Sequence, residues 1–440
     1  MVEIRPFRGV RYNKEKIGDL GLVITPPYDV INEKERDKLY ALSEYNFIKL
    51  ILAKNEEDGK GSNKYARAAG YFKEWQEKGI LKRDEEDSVY IYSQEFTHKD
   101  KAFVRTGFIS LVKLEEEGKG VLPHEKTLEK PLKDRLALLD ATSANLGCVF
   151  VIYDDKKRII DSIIKDKTRN NEPDFDFKDM FGIRHRLWRI SDDKFIKGLI
   201  KEMGQYQCVI ADGHHRYKSA LRFKERHPEL DDAGYAMCCF ANSYNEGFFV
   251  LPVDRFVFNL KDIDVDDVLG RLKGYFDVDE VEDVNKLIQR VEETKILIDK
   301  TINLKNHVFG MYCFLNQKSY FLKLKNDKGD VGGILEQNSS DSNDIYKKLD
   351  INILHRLIFE DVLGISEEDQ FKGSHIEYAK GNKRALDKLD DDKYQFAFFI
   401  NAPLMREIFL TARAGETMPQ KSTYFYPKVY SGLVINKIEE

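Results

Sequence analysis

Hydrophobic residues recur along the chain with two different periods, which predict a mixture of strands and helices. Alternation in the segments "SVYIYSQEF" and "RTGFISLVKL" predicts two strands joined by a hairpin around residues 98–101. Tyr65, Ala69, Phe72 and Trp75 lie at helical spacing and predict an amphipathic helix. Helices and strands do not alternate regularly, so we expect an α+β fold with mixed sheets rather than a doubly wound sheet.

The predicted elements group into three regions. A chain of 440 residues is long enough for two or three domains. Residues 1–118 are predicted to form an N-terminal α+β region, and residues 258–440 a C-terminal α+β region. Between them, residues 119–257 hold the most unusual polar motifs of the chain.

The first of these motifs is "YQCVIADGHHRYKSALRF", which predicts a buried strand, a tight turn and a helix. Asp212 is expected to cap the helix by accepting backbone N–H bonds, and Gly213 leaves room for a ligand or a second backbone. His214, His215 and Arg216 follow in the first turn, where the helix dipole disfavours cations unless an anion neutralises them. A phosphate group would do so, and we therefore predict phosphate binding here.

Two other interpretations of this turn stay open. Asp212 could serve only as a helix cap, with the histidines packing or facing water. Alternatively, His214 and His215 could bind zinc. Adjacent helical residues point about 100° apart, however, whereas metal ligands on one helix face favour a spacing of three or four residues.

The second motif, "VLPHEKTLEKPLKDR", concentrates charged residues around two prolines. Pro123 and Pro131 predict a fixed loop rather than a continuous helix. Glu125 is a candidate general base, with His124 positioning it or acting beside it. The candidate contacts for phosphate oxygens are Lys126, Lys130 and Arg135. An ordinary solvated loop is the alternative, because dense charge is easily accommodated at a surface.

Two weaker motifs offer contacts for a substrate. Asp29 follows two prolines in "TPPYDVI", where a rigid turn could present its carboxylate, although a purely structural turn fits equally. Lys421 lies in "MPQKSTYFYPK" with Ser422, Thr423 and Lys428, and it could contact an anion or belong to a strand with an exposed lysine. His355 lies in an apolar helical pattern and is expected to be a core histidine.

The chain resembles two known groups of proteins at these motifs. The Asp212 turn is similar to the D-G-x-H-R turn of the ParB-like superfamily, which includes sulfiredoxins and archaeal free-serine kinases. Over nearly its whole length the chain is identified as a member of the domain of unknown function 1015 family. The segments that carry this second resemblance are "IRPFRGVRY", "PPYDVI", "LPHEKTLEKPLKDRLALLDATSAN", "ADGHHRYKSAL", "LPVDRF" and "MPQKSTYFYPK".

The resemblance implies a ParB-like, sulfiredoxin-like element that carries both motifs and a kinase-like chemistry. Glu125 would take the proton from a substrate hydroxyl, and Asp212 would hold magnesium or the same hydroxyl. His214, His215 and Arg216 would hold the transferring phosphate of ATP or ADP. About 80 residues separate the two motifs, which is more than a minimal ParB-like domain would need.

Composition narrows the possible partners and the compartment. The formal net charge of -5 disfavours a broad nucleic-acid surface, which needs clustered Lys and Arg. No apolar run suits a signal peptide or a membrane span, so a cytoplasmic protein is expected. The five cysteines form no C-x-x-C pair and are expected to be reduced core thiols.

The motifs together predict a nucleotide-dependent phosphotransferase that acts on a small hydroxyl metabolite, with free serine as the first candidate. A nucleotide-binding regulatory protein without turnover is the second hypothesis. A DNA-binding protein is the third, and the acidic charge balance speaks against it.

Overall fold

The chain forms two compact units, each of which is discontinuous in sequence. The computed structural model describes residues 1–54, 63–116, 118–300, 307–325, 348–381, 385–389 and 391–438. The first unit comprises Met1–Pro123, Thr127–Phe248 and Pro427–Glu440, and the second comprises His124–Lys126 and Phe249–Tyr426. All five cysteines are buried and none forms a disulfide, as predicted.

Strands and helices are interspersed along the described residues, which confirms the predicted α+β class. The strands are β1 (Ile4–Arg5), β2 (Val10–Tyr12), β3 (Leu81–Arg83), β4 (Val89–His98), β5 (Lys101–Lys113), β6 (Val121–Leu122), β7 (Ala144–Asn145), β8 (Val149–Tyr153), β9 (Phe175–Lys178), β10 (Arg184–Ile190), β11 (Cys208–Asp212), β12 (Tyr235–Asn242), β13 (Phe249–Leu251), β14 (Val253–Phe258), β15 (Phe276–Val281), β16 (Val308–Cys313), β17 (Lys318–Leu324), β18 (Ile376–Lys380), β19 (Tyr394–Phe399), β20 (Tyr424–Tyr426) and β21 (Asn436–Lys437). The α-helices are α1 (Lys14–Ile17), α2 (Glu33–Leu42), α3 (Ile48–Ile51), α4 (Lys64–Glu77), α5 (Glu129–Thr142), α6 (Ile159–Thr168), α7 (Asp193–Met203), α8 (His214–Arg226), α9 (Val265–Tyr275), α10 (Val284–Lys300), α11 (Asp350–Ile353), α12 (Glu367–Lys372) and α13 (Met405–Arg413).

A nine-stranded mixed sheet organises the first unit. Its order is β6-β11-β8-β12-β5-β4-β10-β9, with β1 paired to β5. The β11/β6 and β12/β8 pairs are parallel, and the other pairs are antiparallel. One face of this sheet packs its alternate apolar residues against α5, α6, α7 and α8 to form the main core.

The predicted hairpin is confirmed at the turn between β4 and β5. The two strands pair from Tyr90 to His98, and Lys99 and Asp100 occupy the turn with φ angles of 47° and 61°. Positive φ at both central residues is the mark of a type I′ turn, whose twist matches that of the strands it joins. The amphipathic helix predicted from the spacing around Phe72 and Trp75 is likewise present, as α4.

The second unit contains an antiparallel six-stranded sheet of order β15-β17-β16-β19-β14-β18. Leu287, Ile288 and Val291 of α10 pack into its apolar core. The apolar helical pattern around His355 begins as α11 but continues as a π-helix over Leu354–Val362. Extended π-helices are rare, and periodicity alone does not distinguish them from α-helices.

Two predicted boundaries differ from the structure. The predicted division at residue 118 falls inside one sheet, because residues Gly107–Lys113 of β5, in the N-terminal region, pair with β12 of the central region. The predicted loop around Pro131 ends earlier than expected, since α5 already begins at Glu129. Proline is tolerated in the first turn of a helix, where its missing N–H has no intrahelical partner to lose. Lys130 and Arg135 therefore lie on a helix.

No helix in the described ranges is long and apolar enough to cross a membrane.

Two glycines of the first unit should respond in opposite ways to substitution by alanine. A Cβ at Gly107 on β5 would lie 2.1 Å from the Phe240 carbonyl oxygen, whereas a Cβ at Gly70 on α4 would meet nothing within 4 Å. We expect Gly107→Ala to destabilise the unit by about 1–3 kcal/mol through overpacking. Gly70→Ala should stabilise it by about 0.5–1 kcal/mol through helix propensity. Thermal unfolding measures both, and equal transitions in the two variants would contradict the close approach of β5 and β12.

Candidate functional site

The Asp212 turn lies where β11 leaves the large sheet. Residues 208–211 are buried, and the register against β8 shifts so that Ile210 pairs with Val151 but Asp212 pairs with Phe150. Because cross-strand partners share a face, this shift moves Asp212 off the face that carries Ile210 and the apolar core. The irregularity therefore allows a carboxylate to end a fully buried strand.

The cap of α8 differs from the predicted one. Gly213, not Asp212, is the N-cap residue, and its φ of 92° is strained for any residue with a side chain. No side chain of this cap accepts a hydrogen bond from the first N–H groups of α8. The strand continues one residue further than predicted, so the Asp212 carboxylate is committed elsewhere.

Two cations share the Asp212 carboxylate. Lys428 Nζ lies 3.1 Å from Asp212 Oδ2, and Arg216 Nη2 lies 3.6 Å from the same oxygen. All three side chains are largely buried, with 9%, 15% and 14% exposed for Lys428, Asp212 and Arg216. Burying charge is unfavourable unless it is compensated, and here two cations and a carboxylate compensate one another at a helix start.

The Arg216 guanidinium is held in place from several sides. Its Nη1 donates to the Cys148 carbonyl oxygen, and its Nε is buried without a hydrogen-bond partner in the described part of the chain. Burial works against the charged form, but the attraction of Asp212 and then Asp29 outweighs it and raises the pKa of Arg216. The guanidinium therefore stays charged, with one donor available at its inner edge.

The two histidines of the motif are placed differently from one another. His214 is buried, whereas His215 is partly exposed. His215 Nε2 accepts a hydrogen bond of 3.0 Å from the backbone N–H of Leu128. An acceptor nitrogen carries no proton, so the other nitrogen, Nδ1, is the protonated one whenever His215 is neutral. Phosphate binding by either ring stays a prediction, and for His215 only Nδ1 can donate.

Arg135 and Arg216 both line a cavity of about 60 Å³ in the first unit. Arg135 is already engaged, since it donates to Asp134 and to the Ile51 carbonyl and lies 4.0 Å above the Tyr28 ring. Burial raises the pKa of Tyr28 to about 12, against the opposing effect of Arg135. Arg135 therefore has fewer free donors for a phosphate than the sequence suggested. Asp29, the residue after Tyr28, is exposed.

His124, Glu125 and Lys126 of the second motif belong to the second unit. His124 and Lys126 form backbone hydrogen bonds with Met418, which lies opposite Glu125 in a parallel bridge. His124 is fully buried, and its Nε2 lies 3.0 Å from Thr423 Oγ1. Lys126 is exposed and lies 3.9 Å from Glu367. His124 is therefore placed to fix the loop rather than to meet solvent.

Glu125 and Lys421, two predicted site residues, contact each other. Glu125 Oε1 accepts a hydrogen bond of 3.1 Å from the Lys421 backbone N–H. Lys421 has a φ of 58°, a left-handed conformation that costs a residue with a side chain roughly 1–2 kcal/mol. The contact uses the backbone of Lys421, so the predicted role of its ammonium group stays a prediction.

Sequence reasoning missed several residues that contact or adjoin the predicted site residues. Lys428 was named only as a weak contact, and Cys148, Tyr28 and Arg255 were not singled out. The Asp212–Lys428 pair joins residues 216 positions apart, so no local spacing reports it. Segments such as "LPVDRF" and "MPQKSTYFYPK", which hold Arg255 and Lys428, were the available signal.

The predicted residues thus fall into two groups, each described within its own unit. Asp29, Arg135 and the Asp212–Arg216 segment belong to the first unit, and the 124–126 segment with Lys421 to the second.

Asp212 is the one residue that the sequence predicts as a magnesium ligand. The described residues contain no group of three or more His, Cys, Asp or Glu side chains suited to a metal. Magnesium is commonly held by one or two carboxylates together with the phosphates of a nucleotide, so a single carboxylate fits an ion that arrives with its ligand.

Three polar residues of the second unit, Asp254, Arg255 and His355, lie near the Glu125 loop. Arg255 is fully buried on β14, beside Asp254, and His355 lies in the π-helix. Burial raises the pKa of Asp254 to about 7 and lowers the pKa of Arg255 to about 10. Burial also lowers the pKa of His355 to about 3, and its Nε2 has no partner in the described residues. His355 thus lies on an apolar helix, as predicted, but its side chain is partly exposed and incompletely bonded, so it is not the core histidine that the pattern predicted.

Comparison with known proteins gives one family match. A family model described as "Protein of unknown function (DUF1015)" matches residues 4–352. No curated protein matches the chain.

Several solved structures are similar at low identity. A conserved hypothetical protein from Pyrococcus furiosus is 15% identical over 73% of this chain and 92% of that one, with a TM-score of 0.34. A free serine kinase in complex with AMP is 14% identical over 72% and 86%, with a TM-score of 0.35. SbnI with a C-terminal truncation, from Staphylococcus aureus, is 10% identical over 75% and 87%, with a TM-score of 0.37.

The stability of the second unit should carry opposing pH dependences from Asp254 and His355. Folded Asp254 retains its proton up to about pH 7, compared with an ordinary value of 3.8, so its contribution to stability falls as the pH rises through that window. Folded His355 resists protonation down to about pH 3, so its contribution rises between pH 3 and 6.5. Asp254→Asn should remove the falling contribution, worth at most about 4 kcal/mol. Urea unfolding at pH 4.5 and 7 tests this. A constant stability difference between the wild type and the variant would contradict it.

Proposed function

The chain belongs to the DUF1015 family, and from this premise we propose that it is a nucleotide-dependent phosphotransferase. The proposed acceptor is a small hydroxyl metabolite, with free serine as the first candidate. Family membership supplies no activity, so support for the proposal comes from the residues around Asp212 and Glu125 and from their likeness to the D-G-x-H-R turn of the ParB-like superfamily.

One observation carries the proposal, namely the two largely buried cations that lie beside the start of α8. Lys428 and Arg216 share the one carboxylate of Asp212, at a helix end that already favours anions. A phosphate would accept hydrogen bonds from Lys428 and Arg216 and would lie close to the positive end of the α8 dipole. A nucleotide supplies such phosphates.

The second element of the proposal is a base for the acceptor hydroxyl. Glu125 is assigned this role because its carboxylate is only partly exposed and is oriented by the Lys421 N–H. In the proposed step the hydroxyl oxygen forms a bond to the terminal phosphorus, and the bond from that phosphorus to the leaving nucleotide oxygen breaks. The hydroxyl proton passes to Glu125. Positioning and charge neutralisation supply most of the rate in such reactions.

The assignment uses two groups of residues, each described within its own unit. Arg216 and Lys428 are assigned to the phosphates, and Glu125 to the acceptor. Magnesium, when bound with a nucleotide, would neutralise charge on the phosphate oxygens, and we assign Asp212 as its protein ligand. A regulatory protein that binds nucleotide without turnover would use the same phosphate residues but would not need Glu125.

Nucleotide binding should depend on the glycine at the turn. A Cβ at Gly213 would lie 2.8 Å from Arg216 Nε and would require a left-handed alanine, so Gly213→Ala should displace the guanidinium. We expect calorimetry with ATP, ADP or CTP plus magnesium to detect binding by the wild type, and affinity at least about tenfold weaker in Gly213→Ala, the loss of about one strong interaction. Gly198→Ala on α7, where a Cβ meets nothing within 4 Å, should bind like the wild type. If the wild type binds none of these nucleotides, the proposal fails.

Glu125 separates a kinase from a binder. Glu125→Gln keeps the shape of the side chain but cannot accept the proton, so transfer should fall by roughly 10²–10⁴-fold while nucleotide affinity is retained. Product mass, with serine tested first among hydroxyl metabolites, measures transfer. Glu368→Gln, at an exposed pair with Lys372 in the same unit, is the control that should leave transfer unchanged. Binding without transfer in the wild type would instead support the regulatory alternative.

A further inference from the structure

Arg255 is a buried cation in the segment "LPVDRF" that the proposed reaction does not use directly. Its side chain is fully buried on β14, an interior strand of the six-stranded sheet. The residue pairs with Tyr378 of β18 on one side and with Phe398 of β19 on the other. Arginine is rarely buried without a defined set of partners, because removing its charge from water is strongly unfavourable. The partners of Arg255 therefore indicate what its presence supports.

The hydrogen bonds of Arg255 lead to the predicted catalytic loop. Its Nη1 donates to the Val253 carbonyl of its own strand, and its Nη2 donates to the Lys421 carbonyl oxygen at 3.2 Å. The N–H of the same Lys421 residue donates to Glu125 Oε1 at 3.1 Å. Arg255 thus binds the backbone C=O of Lys421, and Glu125 binds the backbone N–H of the same residue.

The backbone of Lys421 gives this arrangement a mechanical meaning. Its N–H and its C=O belong to two different planar peptide groups, which are joined through the Lys421 Cα. Its φ of 58° lies in a region that residues with side chains visit rarely and keep only when their surroundings hold them there. The bond from Arg255 holds the second peptide plane, so it helps to keep the first plane aimed at Glu125.

Electrostatic attraction also links Glu125 to Arg255. The Glu125 carboxylate is among the groups that stabilise the charge of Arg255, together with Tyr378 and Asp254. Asp254 Oδ1 lies 3.3 Å from the Ile400 N–H, and its Oδ2 has no partner in the described part of the unit. Asp254 thus makes no hydrogen bond to Arg255, and Glu125 remains as the carboxylate linked to it through Lys421.

We propose that Arg255 is a positioning residue for Glu125 and acts through the backbone of Lys421. Arg255 fixes the left-handed conformation of Lys421, and the Lys421 N–H in turn fixes the carboxylate that receives the acceptor proton. The catalytic part of this inference rests on the proposed function, whereas the structural link does not. Misplacing a catalytic group by about 1 Å can slow a reaction by roughly 10²-fold, so such a link would affect turnover more than binding.

The structural link can be measured without any activity. Selective ¹⁵N-lysine labelling, with the Lys421 amide assigned through Lys421→Arg, reports hydrogen exchange at this one N–H. We expect Arg255→Met to speed exchange at Lys421 at least about tenfold, because the conformation that maintains the bond is released. Arg271→Met is the matched control, since Arg271 also donates to a backbone carbonyl, that of Asp361, but on the surface of the same unit. It should leave exchange at Lys421 unchanged.

Two further variants keep the test decisive if Arg255→Met fails to fold. Glu125→Ala removes the acceptor at a partly exposed position and should also speed exchange at Lys421. Arg255→Lys keeps the charge but has a single ammonium group in place of the planar fork, so exchange should be intermediate. Wild-type exchange rates at Lys421 in Glu125→Ala, or in any folded Arg255 variant, would overturn the link.

The catalytic consequence needs a kinetic measurement. Arg255→Met should lower kcat by about 10- to 100-fold with nucleotide affinity unchanged, and Arg255→Lys should recover part of that loss. Equal losses of kcat and nucleotide affinity, or an unchanged kcat, would overturn the positioning role. If the wild type transfers no phosphate, the proposed function fails, and exchange at Lys421 still decides whether Arg255 holds this backbone.

Discussion

Burial of charge where β11 becomes α8 is the constraint on which the first unit depends. A strand with four buried residues ends in a carboxylate that must be paired, and the pairing comes from Lys428 and Arg216. The register shift at Asp212 makes this possible, because it moves the carboxylate away from the apolar core. Gly213 then allows the chain to turn directly into a helix whose first N–H groups have no side-chain cap from that residue.

Local patterns in the sequence identified much of this architecture. The hairpin at Lys99 and Asp100, the amphipathic α4 and the strand-turn-helix at Asp212 all follow from periodicity and turn residues, which act over short distances. The fold class followed from the same patterns. The clustering of charged residues and histidines in the sequence also identified the Asp212 turn and the Glu125 loop, which the proposed function uses.

Interactions between distant segments account for what the sequence did not reveal. The partner of Asp212 is 216 residues away, and β5 pairs with β12 across a predicted boundary. The cap at Gly213 was misplaced because Asp212 satisfies a capping pattern but belongs to the strand. Residues Leu354–Val362 form a π-helix rather than an α-helix. Packing decides between the two, and hydrophobic periodicity does not encode that packing.

The return of the chain to the first unit at Pro427 has a consequence for biosynthesis. Lys428 and β21 are translated after the second unit, yet they belong to a unit whose other parts end at Phe248. Asp212 must therefore wait for roughly two hundred further residues to leave the ribosome before Lys428 can reach it, about ten to forty seconds at ordinary elongation rates. During that interval the nascent first unit is a natural client for chaperones, and premature termination near residue 426 would release it with this ion pair unformed.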